Sequence, residues 1–570
     1  RRVLFRSRFE EYVMFIPDIE NVRDAGEQFF SPTTLASEVY EPKTMTDALR
    51  DPDYCSLWKQ AIMKEVETLN AHEVIDWYVE LPPGAIPIKT KWVFKVKCKQ
   101  DGTIEKFKAR LVACGYSQVY GLDYLDTYAP VASMNAIRIV TAIAALLGRK
   151  LYHVDIKGAY HYGEIDDGIV LFIQQPEGFV KRDRRKFGCR LLRPLYGTKQ
   201  GGNRWAEKLR DVLRTLGYTV SKVESSILYR LEDDGSVTII VICTDDLLVN
   251  ALERGYELLI NAIKGYFEIT EFGEVTYFMG IQFFCSSNGI RLCQEQYIGT
   301  LLKRFECEDM RTATTPLDQH SKAILEAEMN DNQVIDDKPF RELIGGLLYI
   351  AICTRPDVLF SVNFLSRYTS RYGTDHWKAG IRILRYLKGT AKMSIRYQAM
   401  TKNDERLFIE YVDSSHANEV DTRRSSAGHI AMFGGGPVMF RGTKAKCVSL
   451  SSCEAEFVAM TPASQDLIWI DMLMEELGMS DLISENRAAD GCALLLTDNR
   501  AAIFLAKNPS SQSKRTKHID VRFRFVCDAV ERGILRVDWV ASSDNLADIL
   551  TKPLGRVLLQ KLRDIILHSG

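Results

Sequence analysis

A chain of 570 residues, 46 % of them apolar, is too long for one hydrophobic core and too apolar for a disordered protein, so three or four globular domains are expected. A formal net charge of −1 excludes nucleic-acid binding through overall charge, and any such binding must use local basic surfaces. Thirteen scattered cysteines without a C-x-x-C pair argue against a disulfide framework or a zinc knuckle, and for reduced thiols inside a cell.

Along the chain, residues 1–45 read as an acidic N-terminal linker without periodicity, with 1–7 as a non-native scar. No signal peptide is visible, and the apolar runs at 139–147 and 343–353 are core-sized, so no membrane span is expected. Trp58, Ile62, Val66 and Leu69 have helical spacing. From Lys91 to Lys97 the pattern alternates strictly, with Trp92, Phe94 and Val96 on one face and mostly lysines on the other. Asp101-Gly102 gives a turn, and 104–112 returns as a second strand. Eight basic residues against two acidic ones lie between Lys89 and Arg110, so this hairpin has a basic outer face suited to phosphates, or to plain solvation.

A strand-like run, residues 151–156, carries Asp155 near its end. A helix is predicted over 205–216, closed by Gly217. Residues 237–249 read Val-Thr-Ile-Ile-Val-Ile-Cys-Thr-Asp-Asp-Leu-Leu-Val, which puts Asp245 and Asp246 at the tip of an apolar hairpin. The pairs at 166–167, 233–234 and 336–337 lie in polar, loop-like surroundings instead. Three ionised carboxylates in contact repel by about 4 kcal/mol per pair at about 4 Å and an effective dielectric of roughly 20. A fold that gathers them raises a pKa or binds a cation. The dipeptide and its flanking strands alone leave a solvated acidic turn open.

Another hairpin spans 275–292, and 297–400 is mostly helical. In 376–389, Trp377, Ile381, Leu384 and Leu387 form one face and Lys378, Arg382, Arg385 and Lys388 a basic stripe, which favours contact with a nucleic-acid backbone over simple solvation. Further acids follow on alternating strands and helices: Asp413, Glu454 and Glu456, Asp498, Asp544 and Asp548.

Taken in order, Lys-Phe-Lys-Ala-Arg-Leu-Val-Ala at 106–113, Asp155-Ile-Lys-Gly-Ala-Tyr160, Leu-Tyr-Gly-Thr-Lys-Gln-Gly-Gly at 195–202, the Asp245-Asp246 hairpin and Tyr-Phe-Met-Gly-Ile-Gln at 277–282 resemble the reverse transcriptase of copia-type LTR retrotransposons. The likeness continues through Thr-Arg-Pro-Asp at 354–357 and Ile-Leu-Arg-Tyr-Leu-Lys-Gly-Thr at 383–390 into the last acidic set, which resembles the RNase H domain of the same family, and it covers roughly 45–555. The resemblance implies an α+β fold: a right-hand polymerase with fingers and palm at 46–300, thumb and helical connection at 301–400, an α/β RNase H-like domain at 401–556 and a tail at 557–570.

It further implies that Asp155, Asp245 and Asp246 hold metal for nucleotidyl transfer, and that Asp413, Glu456, Asp498 and Asp548 do so for cleavage of RNA in a hybrid. Glu456, followed by Phe-Val-Ala, fits the spacing better than Glu454. Lys108 and Arg110 match the basic position that meets the triphosphate, Tyr160 the ring beside the sugar 2′-position, Gln200 and Gly201 the segment against the nucleotide, and Met279 and Gly280 the primer grip. Arg515, Lys517 and His518 form a basic cluster suited to hybrid backbone. The implied cofactor is Mg²⁺, two per site, with Mn²⁺ as an alternative. The implied partners are RNA template, DNA primer, hybrid, deoxynucleoside triphosphates and other Pol and Gag products, in a cytoplasmic virus-like particle or the nucleus.

The pattern departs from the family at four places. Cys243, followed by Thr244, stands where a tyrosine is usual, His161-Tyr162 replace Leu-Asn, Ser415-His416 replace Asp-Trp, and Pro462 falls within a predicted helix at a cost of roughly 3 kcal/mol unless Thr461 caps a new one. Rival readings are a decayed or domesticated relic that only binds nucleic acid, and a Mg²⁺-dependent nuclease with an inactive polymerase half. No aspartic protease, C-C-H-C knuckle or integrase zinc motif is visible.

Overall fold

The computed structural model describes residues 39–98, 103–328, 338–398, 408–416, 422–446, 448–484, 492–508 and 520–569. The linker up to residue 38 and the Arg515, Lys517 and His518 cluster lie outside the described residues. The chain divides into two compact units, each with its own apolar core.

The first unit comprises the chain up to Val131 with Ile156–Tyr218 and Ala262–Thr270. Its helix Cys55–Ala71 buries Trp58, Ile62, Val66 and Leu69, as the spacing predicts. Strands β1 (Thr90–Cys98) and β2 (Ile104–Ala113) form the expected antiparallel hairpin. Trp92 opposes Leu111 and Phe94 opposes Ala109 on the buried face, while Lys95 opposes Lys108 and Lys97 opposes Lys106 on the outer one. Like charges directly opposite destabilise a sheet, and Glu41 against Lys95 and Glu105 3.2 Å from Lys106 offset part of that repulsion. The helix predicted at 205–216 runs Gly201–Thr215, and Gly217, at φ +85°, follows its end.

The second unit contains α1 (Met134–Leu146), β3 (Leu151–Ile156, up to Asp155), β4 (Val237–Cys243) and β5 (Asp246–Asn250), with everything from Glu271 onward. In the palm sheet β5 lies between β3 and β4, antiparallel to both. One continuous core serves this sheet, the helices at 340–389 and the C-terminal sheet, so the unit runs across the boundaries expected at 300 and 400.

The C-terminal sheet has five strands, β6 (Ile409–Ser415), β7 (Ser426–Phe433), β8 (Gly436–Lys444), β9 (Ala493–Thr497) and β10 (Leu535–Trp539), in the order β8-β7-β6-β9-β10. The β8-β7-β6 part is antiparallel and the β6-β9-β10 part parallel. A parallel neighbour needs a crossover, and helix α2 (Ser452–Glu476) supplies it between β8 and β9. This is the α/β arrangement the sequence implies for the last domain.

Two expectations are corrected. Helix α2 continues through Pro462, and the Thr461 hydroxyl donates to Phe457 O at 3.2 Å instead of capping a new helix; packing of the buried turns on both sides outweighs the lost hydrogen bond. The basic stripe is occupied within the protein: Arg382 donates to Thr315 O at 3.2 Å, Arg385 to Arg311 O at 2.6 Å, Lys388 to Met310 O at 2.8 Å, and Lys378 pairs with Asp375 at 2.8 Å. Its three guanidinium and ammonium groups beyond Lys378 satisfy carbonyls of the adjoining 308–315 segment, which would otherwise lack donors. The tail expected at 557–570 carries a helix, Arg556–Ile566, with Leu559, Leu562 and Ile566 buried in the core.

Two candidate carboxylate centres

Asp155 on β3 stands directly opposite Asp246 on β5, and Asp246 stands opposite Cys243 on β4. Opposed residues share a sheet face, so Asp155 and Asp246 project to the same side. Asp245 occupies the turn between β4 and β5, next to Thr244, whose φ of +61° is an unfavourable conformation for a β-branched residue. Backbone strain of this kind collects at functional turns. All three aspartates are partly exposed.

His153, two residues before Asp155 and on the same face, brings Nε2 to 2.7 Å from Asp246 Oδ1. Its ring stacks on Phe272 with centroids 4.5 Å apart and meets Phe278 edge-on at 5.1 Å. Sequence reasoning passed over His153. The signal was present, because strand alternation places residue 153 beside 155. Cys243 is 3 % exposed, and burial, reinforced by the charge of Asp246, pushes its thiol up to about 12. The position is therefore a small, neutral, buried site beside Asp246 on the same sheet face.

Met279 and Gly280 form the turn of a hairpin, both at positive φ, and the Tyr349 hydroxyl donates to Met279 O. A Cβ at Gly280 would collide with the Tyr349 ring, so contact with that ring already requires the glycine.

In the first unit, the Arg110 guanidinium lies 4.7 Å from the Tyr196 ring centroid, and the Tyr160 ring packs 4.9 Å from that same ring. Burial first, then the charges of Arg110 and Lys97, lowers the Lys108 ammonium from its ordinary value. Gly201 admits Tyr160: a Cβ there would stand 2.9 Å from the ring. Gln200 is fully buried; its Nε2 donates to Asp123 O at 2.8 Å and its Oε1 accepts from Gln118 at 3.1 Å. It shapes the 118–123 loop.

The second centre is closed. Ligand oxygens of Asp413 on β6, Glu456 on α2 and Asp498 just past β9 lie within 4.8 Å of one another. Among the described residues Asp155, Asp245 and Asp246 are not gathered that tightly. Glu456 accepts from Ser414 N at 3.0 Å and Thr497 Oγ1 at 3.3 Å, while Glu454 accepts from Leu450 N at 2.7 Å at the helix start, where Ser451 caps. The structure thus turns Glu456 toward the cluster and gives Glu454 a role in the cap.

Asp548 lies in a 3₁₀ turn, Leu546–Leu550, and not in the expected helix, because Asn545 caps that turn and also donates to Val412 O at 2.9 Å. Lys552 and Thr551, absent from the sequence-based set, complete the centre: Lys552 Nζ is 2.7 Å from Asp548 and 4.0 Å from Asp413, and the Thr551 hydroxyl donates to Asp413. Ser542 donates to Asp498 at 2.6 Å. Gly428 lets this turn approach β7, since a Cβ would stand 2.8 Å from Leu550 and Thr551. Burial first, then the charge of Asp413, pushes Asp548 up to about 7. Burial with the charges of Asp413 and Asp498 raises Glu456 well above its ordinary range. Burial alone would lower Lys552, but Asp413 and Asp548 raise it.

An all-oxygen set of like charges, disfavoured when ionised and offset by the single ammonium of Lys552 beside it, fits a hard divalent ion. The paired Asp155 and Asp246 offer the same donors in a more open setting.

Residues 73–319 match the family described as "Reverse transcriptase (RNA-dependent DNA polymerase)". The chain is similar to the retrovirus-related Pol polyprotein from transposon TNT 1-94 of Nicotiana tabacum, 30 % identical over 564 residues, covering 97 % of this chain and 41 % of that protein. It is also similar to the Pol polyprotein from transposon RE2 of Arabidopsis thaliana, 32 % identical over 542 residues, covering 95 % and 36 %. The chain therefore spans about two fifths of the length of these curated relatives. Among solved structures, a foamy viral protease-reverse transcriptase in complex with double-stranded DNA matches at 11 % identity and a TM-score of 0.42, covering 85 % of this chain and 70 % of that one.

Proposed function

We propose that the chain, whose residues 73–319 match the reverse transcriptase (RNA-dependent DNA polymerase) family, copies retrotransposon RNA into DNA at the Asp155–Asp245–Asp246 centre and hydrolyses the RNA of the resulting hybrid at the Asp413–Glu456–Asp498–Asp548 centre. The observation that carries this reading is the pair of carboxylate centres on separate sheets, the first within 73–319 and the second beyond it.

Divalent metal, Mg²⁺ in the first instance, when bound supplies charge neutralisation and Lewis acidity for in-line displacement at phosphorus. The protein's own part is positioning. In the palm, Asp155 and Asp246 present oxygens from adjacent strands, and His153 fixes the rotamer of Asp246. On the β1–β2 hairpin, Lys97 and Lys108 offer cations to a phosphodiester backbone, beside Lys95 and Lys106, which pair with Glu41 and Glu105. In the C-terminal centre, Ser414 N and Thr497 orient Glu456, Ser542 orients Asp498, and Lys552 holds Asp548.

RNA template, DNA primer, hybrid and deoxynucleoside triphosphates are the substrates this reading requires, with other Pol and Gag products as companions in a cytoplasmic virus-like particle or the nucleus. Primer extension tests it. With oligo-dT on poly-rA and Mg²⁺, template-dependent incorporation is expected. No incorporation alongside retained hybrid binding overturns the polymerase assignment in favour of a relic that only binds nucleic acid.

A further inference from the structure

Helix α2 covers one face of the C-terminal sheet, and beneath it lies a second titratable cluster that neither activity uses. Glu410 on β6 and Asp413 are three positions apart, so they project to opposite faces of the sheet. On the α2 side, Glu410 is 0 % exposed and His429 on β7 is 2 % exposed. His429 Nδ1 lies 2.8 Å from Glu410 Oε1 and 3.3 Å from Asp466 Oδ2 of α2. The ligand atoms of all three residues fall within 4.8 Å of one another.

Hydrogen bonding alone does not satisfy this group. His429 Nδ1 carries at most one proton and faces two carboxylates. Among the described residues, the buried Glu410 Oε2 has no hydrogen-bond partner. A buried polar atom left in this way calls for an explanation such as an ion. The other charge on this face is Arg441, opposite His429 on β8; it is exposed, and its charge lowers Asp466 only partly, since burial still holds that carboxyl at about 7. Burial, reinforced by Asp466, keeps the Glu410 carboxyl well above its ordinary range. A dication would meet all three donors at once.

We infer that Glu410, His429 and Asp466 form a structural site for a zinc-class divalent cation, which ties α2 to β6 and β7. The ligand separations support that class: zinc at about 2.0–2.1 Å from each ligand in tetrahedral geometry puts neighbouring ligand atoms roughly 3.3 Å apart. An imidazole beside two carboxylates favours zinc over magnesium, which prefers oxygen donors and water. Asp466, with 23 % of its side chain exposed, gives the entry path.

The test uses the full chain, stripped with a chelator and returned to excess Mg²⁺ so that the two catalytic centres hold magnesium. One equivalent of added Zn²⁺ should then be retained through gel filtration and raise the melting temperature, because a ligand that binds only the native state stabilises it. Co²⁺ in its place should give the intense visible absorption of a four-coordinate site. Glu410→Gln and His429→Gln should weaken Zn²⁺ retention by about tenfold or more, whereas Asp413→Asn should leave it unchanged. Should either buried variant fail to fold by circular dichroism, Asp466→Asn, at the half-open edge of the cluster, is expected to show the same loss in a folded chain. No Zn²⁺ retained against Mg²⁺, or loss with Asp413→Asn but not with the Glu410, His429 or Asp466 variants, overturns the inference and leaves the cluster as a proton-sharing one.

Discussion

Asp246 keeps 32 % of its side chain exposed and leans on the imidazole of His153, whereas Asp413 and Asp548 keep 5 % and 3 % and lean on Thr551 and Lys552. Both centres have to hold like charges side by side. The palm does so by leaving its aspartates partly in water, at a strained two-strand turn, with one aromatic-packed imidazole as an anchor. The C-terminal centre buries Asp413, Glu456 and Asp548, raises their proton affinity and places an ammonium among them. On the proposed assignment, the open centre would receive a polymer end that enters and advances, and the tighter one a duplex that is cut where it lies.

That contrast is sharpened first by the two helix glutamates. Glu456→Gln should lower hybrid cleavage by roughly a thousandfold, matching a loss of about 4 kcal/mol of charge stabilisation. Glu454→Gln should leave the cleavage rate within about threefold and cost on the order of 1 kcal/mol of stability through the weakened helix start. Steady-state cleavage and urea melts distinguish these outcomes, and equal losses in rate from both variants would break the assignment.

A smaller effect is expected at the palm anchor. His153→Ala should lower the extension rate about tenfold, as the loss of a hydrogen bond to a charged group predicts, with hybrid cleavage unchanged. His153→Gln, which can still donate to Asp246, should recover part of that rate. A purely structural role would instead lower the melting temperature without separating kcat from KM.

The closed centre also predicts a pH signature. Asp548 has a folded-state value of about 7 against an ordinary 3.8, so between those values the native chain binds more protons than the unfolded one. Without divalent metal, its contribution to stability is therefore present at low pH and lost as pH rises toward 7, at up to about 1.4 kcal/mol per pH unit. Asp548→Asn should remove that slope, as measured by the difference between wild-type and variant melts, and saturating Mg²⁺ should reverse it. An unchanged slope in the variant would place the titration elsewhere.

The smallest effect belongs to Lys552. It is 39 % exposed, so Lys552→Met should cost only on the order of 1 kcal/mol of metal-free stability. Removing its charge should also let the cluster take up Mg²⁺ at lower concentration. Weaker Mg²⁺ uptake would show that the ammonium assists the metal and does not stand in for it.

Much of this was legible in the sequence because the elements concerned are sharply marked. The 91–112 hairpin alternates with a period of two, while 237–243 and 493–497 are continuous apolar runs that stop just before acidic residues, and the structure makes strands of all of them. Side chains that turn inward on their own protein were harder to read. Gln200 and the basic face of 378–388 hold loops of their own protein, and no local pattern announces a carbonyl from 67 or more positions away. Lys552 escaped notice although it stands four positions after Asp548, its partner at 2.7 Å, because its approach to Asp413 depends on a turn that Asn545 and Gly428 permit. Pro462 shows the same limit in reverse: propensity argues for a break, and packing around α2 overrides it.

The most direct test measures both activities on the same preparations of Asp245→Asn and Asp413→Asn, with folding checked by circular dichroism. The account predicts that the first loses primer extension and keeps hybrid cleavage, and that the second does the opposite. Loss of both activities in either folded variant would contradict two separate centres.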